Sequence, residues 1–234
     1  MPAGARRAVL FDLDDTLVDQ QPAADAAVLA WAAQEGLAVD SEDDLVVRWR
    51  RLTDQHFARY QRREISFVEQ RRVRVRAFLG RPVADGEADE LFHGYLARYE
   101  AGWRLFDDVL PALRRAREAG CVVAVLTNGD ETQQRQKVDR LGIAQEIDAL
   151  IASSALPAGK PDARAFHGAL ARIRVSPDRA LMIGDSLEND VLGAQAAGVE
   201  AILLDRGGQH SGARVRTVRG LDQVRFGPSA SPSA

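Results

Sequence analysis

An α/β fold, with a parallel sheet covered by helices on both faces, is what this sequence predicts, and three observations predict it. Short apolar runs end abruptly in polar, turn-forming clusters; segments of helical length with helical spacing follow them; and a glycine stops most of those segments. Strands that alternate with helices in this way pair in parallel, because each crossover has to return over a face of the sheet.

The first run, Ala8-Val9-Leu10-Phe11, gives way to Asp12-Leu13-Asp14-Asp15, the pattern of a buried strand entering an acidic loop. The same grammar recurs where Val122 to Leu126 leads into Thr127-Asn128-Gly129-Asp130, and where Ala180 to Ile183 leads into Gly184-Asp185-Ser186. Ala149 to Ala152 and Ala201 to Leu204 supply two further strands. Helices are predicted over Asp108 to Ala119, Glu131 to Leu141 and Asn189 to Ala197, stopped by Gly120, Gly142 and Gly198. A fourth runs from Asp162 to Ile173, with the aspartate placed to cap its start.

Between Val18 and Trp103 the grammar changes to long charged segments with apolar residues at helical spacing, which predicts a separate helical insert. Ser66-Phe67-Val68-Glu69 has the form of a capping box opening a helix toward Phe78, and Gly36, Gly80 and Gly86 punctuate the other segments. The insert carries ten arginines between Arg48 and Arg76. A solvated helix face is the ordinary reading of such a stretch, the functional alternative being that one or two of them grip a second anionic group of a ligand. Trp31, Trp49, Phe57 and Phe67 are expected to pack between helices. The expected organisation is a core of residues 1–18 and 104–226, an insert at 19–103, and a disordered tail of small residues and prolines at 227–234.

Of 234 residues, 28% are charged and 46% apolar, a balance found in soluble globular proteins, and a net charge of -3 gives no general reason to bind a nucleic acid polymer. One cysteine, Cys121, excludes an intramolecular disulfide framework and Cys-x-x-Cys metal sites, and it is expected to be inert core. A reducing, cytoplasmic location is expected: no signal peptide is apparent, and no uncharged apolar run approaches the roughly 18 residues that a membrane span needs. The residue after Lys160 is proline and no glycine stands five before Gly159, so the P-loop pattern is missing. No serine sits in a Gly-x-Ser-x-Gly elbow, and His56, His93, His167 and His210 form no metal-binding pair.

In an open parallel sheet, ligands bind outside the carboxyl ends of the strands, so the three polar clusters should converge, with Lys160 reaching them from the loop before a helix. An aspartate after a strand is ordinarily a turn residue or a cap. Asp12, Asp14 and Asp185 on one rim are another matter, because three carboxylates repel one another and any phosphate. At an effective dielectric near 20, like charges about 4 Å apart cost roughly 4 kcal/mol. The set balances only with cations, namely the Lys160 ammonium and a hard divalent ion such as Mg²⁺.

These residues resemble the motifs of the haloacid dehalogenase superfamily, in the phosphatase branch with an inserted α-helical cap. Asp12 to Leu17 resembles its first motif, Asp-x-Asp-x-Thr, and Leu126-Thr127-Asn128 its second; Lys160-Pro161 resembles the third, and Gly184 to Asp190 the fourth. The resemblance implies a Rossmann-like α/β core with an all-α cap whose closure excludes water. It implies that Asp12 is a nucleophile and metal ligand, and that Asp14 is general acid and then base while its backbone carbonyl ligates the metal. Thr127 and Asn128 would bind phosphate, Lys160 would neutralise it and restrain Asp12, Asp185 would be the third ligand of Mg²⁺, and Asp190 would support the metal from behind. The implied activity is hydrolysis of a small phosphorylated metabolite, a nucleotide or sugar phosphate. The alternatives are a phosphomutase or phosphotransferase and a non-catalytic binder of such metabolites. Family dehalogenases lack the second aspartate, and the related mutases usually follow it with Gly-Val; this chain has Asp14-Asp15-Thr16. Oligomeric state is left open by the sequence.

Overall fold

The computed structural model of the protein describes residues 6–37, 41–210 and 212–226; the expected tail at 227–234 lies outside the described residues. The chain divides into two compact units, Met1–Val18 with Leu105–Ala234, and Asp19–Arg104.

In the first unit six parallel strands form one sheet: β1 (Arg7–Phe11), β2 (Cys121–Thr127), β3 (Ala149–Ala152), β4 (Ala180–Gly184), β5 (Glu200–Leu204) and β6 (Thr217–Val218). Their order, β3-β2-β1-β4-β5-β6, is that of the doubly wound Rossmann sheet. Register sets the rim. Phe11 lies opposite Val125 on one side and Ile183 on the other, so Asp12, Thr127 and Asp185 come at the carboxyl ends of three adjacent strands. Leu10, Phe11, Val125 and Ile183 are fully buried, as strands covered on both faces require. β6 escapes sequence reading because two residues carry no periodicity. Cys121 opens β2 half-buried rather than in the core, and burial holds its thiol above the ordinary range.

The helices of this unit show how local sequence signals act. Asp162 caps its helix (Ala163–Ile173) by accepting from the Arg164 amide at 2.9 Å, and Asp130 caps Glu131–Arg140 in the same way. Gly120 and Gly198, each at φ +76°, take the left-handed conformation that ends the preceding helix without a Cβ penalty. One segment departs from expectation. The helix predicted from Asn189 begins earlier, as a π-helical turn over Leu187–Leu192, and tightens to an α-helix only at Gly193–Ala196. Ser186 starts that turn by accepting from the Asn189 amide at 3.1 Å, and Asp190 on it is almost wholly buried. Such wide turns recur where a side chain has to be re-aimed at a functional site.

The second unit is all helical: α1 (Gln21–Gln34), α2 (Glu42–Gln61), α3 (Phe67–Leu79) and α4 (Asp85–Ala101). Ser66 opens α3 by accepting from the Glu69 amide at 3.0 Å, whereas Gly86 falls within the first turn of α4 and is no boundary. Trp31, Trp49, Phe78 and Tyr95 form the centre of its core, with ring centroids 4.7 to 6.3 Å apart. The arginines largely make a solvated face, Arg72 binding Asp85 and Asp89 at 2.8 and 2.6 Å. Arg74 is the exception: it is buried over the Trp49 and Phe92 rings at 4.7 and 4.8 Å and donates to Thr53 Oγ1 at 3.0 Å. Among the described residues no helix is long and apolar enough to cross a membrane.

Candidate active site

Asp12 continues the sheet for one more residue, its amide donating to the Ile183 carbonyl at 2.9 Å, so its side chain leaves the rim from a rigid backbone. The chain then turns tightly: the Leu17 and Val18 amides both donate to the Leu13 carbonyl, and Asp15 takes the left-handed conformation at φ 60°. This turn places two further groups. Thr16, fully buried, donates its hydroxyl to Asp185 Oδ1 at 3.1 Å and accepts from the Asp185 amide at 3.0 Å, tying the ends of β1 and β4 together. Asp14 points the other way, toward the helix after β2.

Lys160 is the hub of the buried charge. Its ammonium donates to Asp12 Oδ1 at 2.6 Å and to Asp190 Oδ1 at 2.5 Å, with all three side chains buried. Asp190 Oδ2 accepts from the Ser186 amide at 3.0 Å, so each oxygen of this carboxylate holds a hydrogen bond. It packs so closely on β4 that a Cβ at position 184 would stand 2.2 Å from its carboxyl group; only glycine fits there. Burial first, then Asp190 and Asp185, push the Asp12 carboxyl well above the usual range against the pull of Lys160. Asp185 is pushed up to about 7, again by burial first and then by Asp190 and Asp15. Burial pulls the Lys160 ammonium down, but Asp12 and Asp190 outweigh it and hold it above its ordinary value.

Oxygens of Asp12, Asp185 and Asp190 lie within 4.8 Å of one another. This is an all-oxygen donor set whose carboxylates outnumber the cations beside them, and two of its members, Asp12 and Asp185, carry raised pKa values, from burial first and then from the neighbouring carboxylates. A hard divalent ion fits that chemistry better than a soft one.

Thr127 ends β2, buried, and Asn128 follows it. The Asn128 side chain clamps Lys160 by its backbone: Oδ1 accepts from the Lys160 amide and Nδ2 donates to its carbonyl, both at 2.8 Å. The Asn128 side chain thus seats the Lys160 backbone, a role that the sequence did not indicate beside the phosphate contact expected of Asn128.

Two residues escaped sequence reading. Gln134 Nε2 donates to Asp14 Oδ2 at 2.9 Å and to Thr127 Oγ1 at 2.8 Å, and the Lys137 ammonium donates to Asp14 Oδ1. Both are buried. A signal was present for Gln134 alone: Glu131–Arg140 has a single apolar residue, Val138, so its buried stripe has to take polar residues, and Gln134 stands one turn before Val138 on that face, whereas Lys137, about 100° round the helix from Val138, gave none.

Comparison with known proteins agrees with this layout. The family model described as haloacid dehalogenase-like hydrolase matches residues 6–198. Over 206 residues the chain is 32% identical to ribulose-1,5-bisphosphate 5-phosphatase of Halopiger xanaduensis, covering 85% of this chain and 84% of that protein. It is 38% identical to phosphoserine phosphatase of Thermus thermophilus over 128 residues, 55% of this chain and 50% of that one, so it spans only half of that relative. The fold superposes on the magnesium-bound HAD-hydrolase YfnB of Bacillus subtilis with a TM-score of 0.80 at 22% identity, covering 93% of this chain and 96% of the other.

Proposed function

The chain belongs to the phosphatases of the haloacid dehalogenase-like hydrolase family, and on that premise we propose that it hydrolyses a small phosphomonoester through an aspartyl-phosphate on Asp12. The observation that carries this reading is the pairing of unlike carboxylates on one rim. Asp12 is buried against Lys160, while Asp14, two residues on, is held apart from it beside Thr127.

Division of labour follows from those environments. An Asp12 oxygen attacks phosphorus as the ester P–O bond breaks, and the protonated Asp14 gives its proton to the leaving oxygen, so an alcohol departs. Asp14, now ionised, then takes a proton from a water whose oxygen attacks the same phosphorus. The acyl-phosphate P–O bond breaks, phosphate leaves, and Asp12 returns as carboxylate. Thr127 and main-chain amides after Asp12 bind the phosphoryl oxygens, and Lys160 balances their charge while restraining Asp12.

Mg²⁺ would be held by the carboxylates of Asp12 and Asp185 with the Asp14 carbonyl, supplying positive charge to the phosphoryl group. Asp190, engaged by Lys160 and Ser186, supports this set from behind. Residues 19–103 would serve as the cap that selects the leaving group, and residues 1–18 with 104–226 would be the catalytic core. The substrate class is a phosphorylated sugar, acid or nucleotide small enough for such a site, and the enzyme would work in the cytoplasm. Asp12→Asn keeps the shape and removes the nucleophile, so release of p-nitrophenol from p-nitrophenyl phosphate with Mg²⁺ should vanish. Turnover by this variant at the wild-type rate would overturn the assignment.

A further inference from the structure

We propose that Gln134 and Lys137 are positioning residues for the reaction, holding the Asp14 carboxylate and the Thr127 hydroxyl as one preset pair; this rests on the phosphatase reading above. Both side chains stand one helical turn apart on Glu131–Arg140, and both are buried, with Lys137 only 2% exposed. A buried amide and a buried ammonium cost folding free energy unless partnered, and apolar side chains would fill the same space more cheaply. Here their partners are the two groups that the reaction needs.

The polarity of the network is set by elementary hydrogen-bond chemistry. An ammonium has no acceptor, so Lys137 can only donate to Asp14, and Gln134 turns its NH₂ group, its donor end, toward Asp14 and Thr127. One N–H reaches Asp14 Oδ2 at 2.9 Å and the other reaches Thr127 Oγ1 at 2.8 Å. Thr127 is thereby an acceptor from Gln134, and among the described residues its own O–H has just a long contact, 3.5 Å, to the Asn128 carbonyl. That proton is the one left to donate to a phosphoryl oxygen. Lys137 takes the other oxygen of Asp14. With both oxygens held, a carboxylate that is itself 23% exposed keeps one orientation rather than sampling rotamers. Proton transfer to and from oxygen falls off steeply beyond hydrogen-bond reach, about 2.6–3.2 Å, so orientation of Asp14 is where such a pair would act.

A positioning role and a structural one separate by leaving group. p-Nitrophenolate departs with little help from an acid, whereas an alkoxide needs the proton of Asp14. In Lys137→Met and Gln134→Met, kcat/KM for an alkyl phosphomonoester such as glycerol 3-phosphate should fall about 10²-fold, the lower range for lost general acid–base catalysis. The fall for p-nitrophenyl phosphate should be at least about tenfold smaller, with a burst of p-nitrophenol as the aspartyl-phosphate accumulates for want of a held base. Equal falls on both esters, or no fall, in a variant with wild-type circular dichroism would overturn the proposal. If Lys137→Met does not fold, the ratio for Gln134→Met decides. A wild-type chain that releases phosphate from neither ester would instead overturn the phosphatase reading itself.

Discussion

Gly184→Ala perturbs the site through one methyl group, and its cost can be worked from the contacts. The new Cβ would stand 2.2 Å from Asp190 Cγ and Oδ2 and 2.6 Å from its Cβ, where unstrained carbon atoms keep about 3.5–4.0 Å. Asp190 must therefore retreat by about an ångström or more. Its oxygens now lie 2.5 Å from Lys160 Nζ and 3.0 Å from the Ser186 amide, and such a retreat carries both to the edge of hydrogen bonding or past it. Overpacking costs about 1–3 kcal/mol and a lost charge-assisted hydrogen bond about 1.5–3, so overpacking with even one of the two bonds lost gives about 3 kcal/mol as a lower expectation. For a unit of this size that is a fall in Tm of about 6–12 °C. Lys160, released from Asp190, would also restrain Asp12 less well, so turnover of p-nitrophenyl phosphate should drop together with Tm. Scanning calorimetry and phosphate release test this side by side. Gly86→Ala is the control, because an added Cβ there meets nothing within 4 Å and the residue lies in a helix. A Gly184→Ala protein within about 2 °C of wild type would refute the packing argument.

Three further outcomes are expected. Asn128→Ala removes both hydrogen bonds that seat the Lys160 backbone, so kcat for p-nitrophenyl phosphate should fall by about tenfold or more; an unchanged kcat would show that Lys160 needs no such seat. Asp185, lifted from 3.8 to about 7, binds its proton more tightly folded than unfolded, so its contribution to stability is full below about pH 4 and is lost as pH rises to about 7. Since Mg²⁺ needs the ionised form, the rise in Tm on adding excess Mg²⁺, worth about 2.7 kcal/mol at 100 times Kd, should be larger at about pH 8 than at about pH 6; equal shifts would sink the assignment of Asp185 as ligand. Trp31→Ala empties the centre of the helical unit, where Trp31 is fully buried against Trp49 and Phe78. Denaturant titration should show a loss of about 3–5 kcal/mol, and a loss under about 1 kcal/mol would mean that these rings do not share a core.

Much of this was legible in the chain because it depends on local signals. A buried strand is apolar throughout, its end is marked by turn-forming residues, and a helix announces its start with an acceptor side chain and its stop with glycine. Ser66, Asp130, Asp162, Gly120 and Gly198 all act in that way. The π-helical turn at Leu187–Leu192 was not legible, since no local rule distinguishes it from the first turn of an α-helix. Nor was the burial of Arg74, because a run of arginines does not say which one faces the rings.

The sequence by itself determined the parallel sheet, the helical insert and the convergence of Asp12, Thr127 and Asp185, because pattern and spacing place strand ends on one rim once the strands are parallel. Which group pairs with which was decided only by the tertiary structure. Asp190 against Lys160, Thr16 against Asp185, Asn128 on the Lys160 backbone, and Gln134 with Lys137 around Asp14 join residues up to 169 positions apart. Distances of a few ångströms between such residues follow from how elements pack, and side chains of the same type on the same helix look alike until the packing chooses the face that is buried.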